Sequence, residues 1–180
     1  CGAFHLSGQI CTSSERIFVV DGIHDEFVAK LSASATALRI GDGFGKHEIG
    51  PLATEAARDK AARMVDAAIA AGAIVECGGR VPPDHSVGWY YEPTVLVDVT
   101  HDMRIMEEET FGPILPIMRV SDEETAIALA NDTSFGLSGN VWSKDVEKAE
   151  ALAERIDTGS VCVNDMAMAY GVIRRASYGL

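Results

Sequence analysis

The feature that most narrows the fold is an alternation of two hydrophobic periods along the chain. Arg16-Ile17-Phe18-Val19-Val20 is a run of β-branched and aromatic residues and reads as a strand. Over 24–39 the apolar residues Phe27, Val28, Leu31 and Leu38 recur at helical spacing. Residues 54–71 read as a long helix, with Thr54 as its cap, Glu55 in its first turn and Gly72 as its stop. Short strands are predicted over 73–76, 94–97 and 114–120. Between them, residues 78–93 hold three prolines, three glycines and Trp89-Tyr90-Tyr91, the composition of a loop excursion. Ser121 followed three residues later by Glu124 has the spacing of a capping box that opens a helix to Ala130. A strand over 139–143, a helix over 145–155 and a strand over 160–164 complete the series. Strands and helices in this order predict an α/β fold: a mostly parallel sheet with helices on both faces, joined by right-handed crossovers.

Composition sets the function classes that remain. A chain of 180 residues, 47% hydrophobic and 23% charged, has the make-up of one globular domain. Its 27 acidic against 15 basic residues give a net charge of −12, which disfavours nucleic acid or an anionic membrane as the main partner. No run approaches the roughly 18 apolar residues of a membrane span. The chain opens on Cys1, with no basic-then-apolar leader after it, so further sequence upstream is expected. Cys1, Cys11, Cys77 and Cys162 form no paired CxxC knuckles, and no histidine stands at zinc-ligand spacing from them. That pattern predicts no metal site and reduced thiols in a cytoplasmic protein. Gly41-Asp42-Gly43-Phe44-Gly45-Lys46 satisfies no phosphate-loop spacing and reads as a turn. Ser138 misses the nucleophile elbow because Asn140 stands where the second glycine belongs.

Two segments could carry chemistry. In Ser7-Gly8-Gln9-Ile10-Cys11-Thr12-Ser13-Ser14-Glu15-Arg16 the cysteine lies among glycine and small polar residues. It is either a reactive thiol on backbone that can approach a ligand closely or a quiet small side chain. Arg16 either supports a thiolate or simply opens the strand. Cys77 and Cys162 lie in strand-like contexts and read as buried apolar residues. The second segment is Met106-Glu107-Glu108-Glu109-Thr110-Phe111-Gly112-Pro113. Glu107 and Glu108 read as a solvated face. Glu109 either belongs to that face or sits on a rigid turn at a strand entrance. On such a turn its carboxylate can accept from paired hydroxyls, as on a ribose, while Phe111 offers a flat surface to a ring.

Together these segments resemble the aldehyde dehydrogenase superfamily, over nearly the whole sequence. Gly8-Gln9-Ile10-Cys11 with Arg16 looks like the family's catalytic-cysteine motif. Gly50-Pro51-Leu52, Gly72-Ala73 and Gly78-Gly79 are similar to its following pattern, and Tyr91-Glu92-Pro93-Thr94-Val95-Leu96 to its next strand entrance. Glu108-Glu109-Thr110-Phe111-Gly112-Pro113 resembles its EExFGP signature. Leu129-Ala130-Asn131-Asp132-Thr133, Phe135-Gly136-Leu137-Ser138 and Val163-Asn164 follow in the family's order. The resemblance implies that Cys11 attacks an aldehyde carbonyl as a thiolate, with the oxyanion held partly by its own backbone N–H. It implies hydride transfer to NAD or NADP and hydrolysis of a thioester to the acid. Glu109 would bond the ribose hydroxyls on the nicotinamide side, and Phe111 would pack against the nicotinamide end. It implies a small-molecule aldehyde as substrate, and homo-oligomers among full-length relatives.

Family members carry a nucleotide-binding domain ahead of this cysteine. That domain supplies the Gly-rich cofactor segment, the oxyanion-hole asparagine and the glutamate general base. With Cys11 so near the start, residues 1–180 are expected to be the catalytic-domain segment alone. They would lack both that domain and the C-terminal oligomerisation tail, be inactive by themselves, and self-associate through the apolar face left uncovered. Val172-Ile173-Arg174-Arg175-Ala176-Ser177-Tyr178-Gly179-Leu180 stands where the family runs Pro-Phe-Gly-Gly, and the Arg174-Arg175 pair departs from it. Met166, Met168 and Tyr170 read equally as an apolar pocket wall or as ordinary packing. The alternative function is a non-catalytic remnant or interaction module that retains the fold.

Overall fold

The computed structural model describes residues 2–166. The expectations for Cys1, Met168, Tyr170 and the Arg174-Arg175 terminus lie outside the described residues. The chain divides into two compact units, Cys1–Ser121 and Asp122–Leu180.

The first unit contains, in chain order, β1 (Ile17–Val20), α1 (Asp21–Thr36), α2 (Glu55–Ala70), β2 (Ile74–Cys77), β3 (Thr94–Val97), α3 (Arg104–Glu107) and β4 (Ile114–Val120). Its sheet runs in the order β1-β4-β3-β2. β4 pairs in parallel with both neighbours, Ile17 opposite Ile117 and Thr94 opposite Ile114, while β2 is an antiparallel edge. The side-chain alternation of the central strands explains why both faces are covered. Val95, Val97, Leu115 and Ile117 pack with Val19 against Val28 and Ala35 of α1. Leu96 and Ile114 pack against Ala61, Met64, Val65 and Ala68 of α2. Strands buried on two faces need continuous apolar runs, which Val95-Leu96-Val97 supplies, while the buried Thr94 hydroxyl is satisfied by the Gly79 N–H and the Glu92 carbonyl.

The helix boundaries follow local chemistry. The Thr54 hydroxyl accepts from the Ala57 N–H at 3.1 Å, and Gly72 takes φ +110° just beyond the end of α2. α1 begins three residues earlier than its apolar spacing predicts, directly from Val20, with Asp21 complementing the helix dipole. The four-residue α3, which buries Ile105 and Met106, is too short to leave a periodic signal in the sequence. The 78–93 segment holds no helix or strand, as its composition predicts, but it is packed against the unit. Tyr90 and Tyr91 are buried, and the Arg58 guanidinium lies 5.3 Å from the Trp89 ring centroid. Burial, helped by the charges of Asp66 and Glu92, pushes the Tyr91 hydroxyl pKa up.

The glycine-rich stretch after α1 is a turn, as its spacing predicts: the Asp42 carboxylate accepts from the N–H groups of Phe44 and Gly45 at 3.0 and 2.9 Å. Arg39 closes it by bonding Glu48 with both its side chain and its backbone N–H. These bonds hold the Glu48 carboxyl at about 2, against an ordinary 4.5. A lowered folded-state pKa means that the pair's support is full above 4.5 and is lost as pH falls toward 2. An NMR titration should therefore place the Glu48 midpoint near 2, and a midpoint at 4.5 or above would contradict the pairing.

The second unit contains α4 (Glu123–Asn131), β5 (Gly139–Val141), α5 (Val146–Ala153) and β6 (Val161–Val163), with β5 and β6 parallel. The expected Ser121–Glu124 capping box is replaced. Asp122 is the cap, accepting from the Thr125 N–H at 2.8 Å, and Glu124 instead pairs with Arg155. A carboxylate one residue closer to the helix makes the stronger, charge-assisted cap. Asp145 caps α5 in the same way through the Lys148 N–H. Asn131 ties the two connections together, donating to the Arg155 carbonyl and accepting from the Asp157 N–H, both at 2.9 Å. Asn164 does the same for β5, bonding the Ser143 backbone in both directions.

Cys77 and Cys162 are half-buried, not fully buried as their contexts predict, because both lie on short strands at a sheet edge or in a two-stranded sheet. Partial burial, with Asp165 adding to it, raises the Cys162 thiol pKa. Among the described residues no helix is long and apolar enough to cross a membrane, and no group of His, Cys, Asp and Glu could hold a metal ion.

Candidate active site

Cys11 lies on an exposed turn between a short 3-10 segment, His5–Gly8, and β1. That turn is tied down on both sides of the thiol. The Ser7 hydroxyl, itself buried, donates to the Gly50 carbonyl at 2.8 Å, and the Gln9 side chain accepts from the Ala53 N–H at 2.8 Å. The Ser13 N–H donates to the Ile10 carbonyl at 2.9 Å, closing the turn around Cys11. Arg16 places its guanidinium 5.6 Å from the Phe18 ring centroid, so it opens β1 by stacking along it.

The Glu109–Gly112 turn leads into β4. Glu107 and Glu108 are exposed, in line with the sequence reading, and the Arg104 guanidinium bonded to Glu108 holds that carboxyl below the usual range. Glu109 differs: it is half-buried, and its carbonyl accepts from the Lys60 ammonium at 2.6 Å. Phe111 sits at φ +50° with its side chain 38% exposed, while the preceding Thr110 is only 1% exposed. The turn therefore buries its threonine and leaves the aromatic ring beside it open to a ligand.

The two segments, 100 residues apart in sequence, meet through the backbone. Gly8 has φ +75°, and a Cβ built there would fall 2.0 Å from the Gly112 carbonyl oxygen, so only glycine allows this approach. Glu15 makes the second link. Its carboxylate accepts from the Thr110 N–H at 3.0 Å, the Thr110 hydroxyl at 2.6 Å and the Phe111 N–H at 3.1 Å. All three sequence-predicted site residues, Cys11, Glu109 and Phe111, thus lie on two turns fastened to one another. Glu15, Lys60 and Thr110 were missed by the sequence reading. Thr110 lies between two candidate residues, which was a readable signal, whereas Glu15 stood in plain view within the cysteine segment but was overshadowed by Arg16.

In chemical terms the arrangement offers an accessible thiol, a carboxylate on a pinned backbone and an exposed aromatic face. A ribose diol needs such a carboxylate acceptor and a nicotinamide ring such an aromatic face, so the residues present fit a nicotinamide cofactor.

The aldehyde dehydrogenase family pattern matches residues 1–175. Betaine aldehyde dehydrogenase of Bacillus subtilis (strain 168) is 45% identical over 165 residues, which is 90% of this chain and 34% of that protein. Succinate-semialdehyde dehydrogenase (NADP+) 1 of Mycobacterium ulcerans is 40% identical across 99% of this chain and 40% of its own length. Among solved structures, Mycobacterium tuberculosis aldehyde dehydrogenase complexed with NAD+ superposes with a TM-score of 0.88 at 37% identity, covering 91% of this chain and 34% of that one. The chain thus spans about a third to two-fifths of the length of these relatives. It belongs to the aldehyde dehydrogenase family.

Proposed function

We propose that this chain carries the nucleophile and the nicotinamide-side contacts of an NAD(P)-dependent aldehyde dehydrogenase. Cys11 is the nucleophile. Its thiolate attacks the carbonyl carbon of a small aldehyde, and the resulting oxyanion is met by the Cys11 backbone N–H, which the closed turn holds in place. When bound, NAD(P) supplies the hydride acceptor that oxidises the Cys11 thiohemiacetal to a thioester. Water then cleaves the thioester, releasing the carboxylic acid and restoring the Cys11 thiol. Glu109 would hold the ribose hydroxyls and Phe111 would pack along the nicotinamide end. The single observation that supports this reading most is the fastening of the Cys11 turn onto the Glu109–Gly112 turn through Gly8 and Glu15. A lone exposed cysteine would need no such registration.

The resemblance places the activating base ahead of the cysteine segment, so the isolated chain is expected to bind and present these groups without turning over. The test is NAD(P)H formation followed by absorbance with simple aldehydes, comparing the chain with its Cys11→Ala variant. Equal background from both is the expected result. Cys11-dependent turnover from the chain alone would overturn the requirement for further residues.

A further inference from the structure

Glu15 takes no part in the chemistry described above, yet its carboxylate joins the cysteine segment to the Glu109–Gly112 turn. It takes two successive backbone N–H groups, those of Thr110 and Phe111, and the Thr110 hydroxyl as well. Successive N–H groups converging on one anion form a concave backbone nest. This nest is built around Phe111 at φ +50°, a left-handed conformation that a bulky side chain disfavours and that persists only when its surroundings hold it. The other contacts of the turn lie on its flanks: Gly8 against the Gly112 carbonyl, and Lys60 on the Glu109 carbonyl. Neither reaches the two N–H groups at the centre. Glu15 also stands four residues after Cys11, so one side chain spans from the nucleophile's segment to the turn that carries Glu109 and Phe111.

We propose that Glu15 is a positioning residue for aldehyde oxidation. Its carboxylate fixes the left-handed backbone at Phe111 and thereby sets where Glu109 and Phe111 stand relative to Cys11. The role rests on the dehydrogenase reading of the site. A carboxylate is required because all three partners are donors. The amide of a Glu15→Gln substitution keeps the size but turns one of its two ends into a donor, which then faces an N–H.

The test is residue-resolved amide hydrogen exchange on the 180-residue chain, with Glu15→Gln and Thr110→Val beside wild type. In Glu15→Gln the Thr110 and Phe111 amides should exchange at least about tenfold faster, and their downfield proton resonances should move upfield. The β4 amides and the thermal midpoint should change little. Thr110→Val, which removes the hydroxyl donor and leaves both N–H groups, should give a smaller acceleration at the same two amides. Unchanged exchange at Thr110 and Phe111 overturns the proposal. So does acceleration spread evenly over β4 and α2, which would make Glu15 an ordinary support of the fold. Iodoacetamide labelling of the same wild-type sample separates the two readings. If Cys11 reacts no faster than Cys77 and Cys162, the dehydrogenase reading falls, whereas the exchange result alone judges the anchoring.

Discussion

Spliced in place of the homologous third of the Bacillus subtilis relative, the wild-type chain should restore aldehyde-dependent NAD(P)H formation, and Cys11→Ala should lower it by about four orders of magnitude or more. The size of the effect follows from the mechanism. Without the sulfur there is no covalent adduct, and hydride loss would have to proceed from a free aldehyde hydrate. Removing a nucleophile that acts as one unit with its surroundings forfeits nearly the whole covalent route, leaving only binding and oxyanion stabilisation. Cys77→Ala and Cys162→Ala serve as controls. Cys77 is half-buried and packs against the sheet core, and the pKa of the half-buried Cys162 is raised, so neither is placed as a nucleophile. Both variants should retain turnover within a few-fold, and loss of activity in either would contradict the assignment to Cys11.

Gly8→Ala is the second large effect. Two costs coincide there. An alanine at φ +75° carries backbone strain of order 1–3 kcal/mol, and its Cβ would also sit 2.0 Å from the Gly112 carbonyl oxygen. That neighbour is backbone at the foot of β4, so it cannot swing aside as a flexible side chain would. The two turns must separate, and the Glu15 bonds to Thr110 and Phe111 stretch with them. The expected loss is more than about 3 kcal/mol in urea unfolding, accompanied by loss of protection at the Thr110 and Phe111 amides. Gly43→Ala is the matched control, since a Cβ at Gly43 meets nothing within 4 Å. Near-equal stability of the two variants would show that the turns are not in the contact described.

Much of this was legible in the sequence, and the reasons are specific. Strands buried on both faces carry apolar runs, so Val95-Leu96-Val97 announced itself, as did the helix that Thr54 caps. Cys11, Glu109 and Phe111 stood out as candidates because each sits in a short motif and the motifs come in a fixed order. Glu15 was not, since its partners are mainly backbone N–H groups 95 and 96 positions away, and a backbone donor leaves no mark on composition. The Asp122 cap was misplaced by one residue because Ser121 also satisfied the spacing, and spacing alone does not weigh a carboxylate against a hydroxyl. The depth of the 78–93 segment was hidden by its prolines and glycines, which signal turns whether or not the tyrosines between them are buried.

The most direct test of the central assignment is to find the covalent bond itself. The spliced enzyme would be mixed with aldehyde and NAD(P), quenched in acid within its first turnovers, and digested for peptide mass analysis. The expected result is an acyl mass on the peptide that contains Cys11, absent from Cys11→Ala and from samples lacking cofactor. An acyl group on Cys77 or Cys162, or sustained turnover by Cys11→Ala, would contradict it.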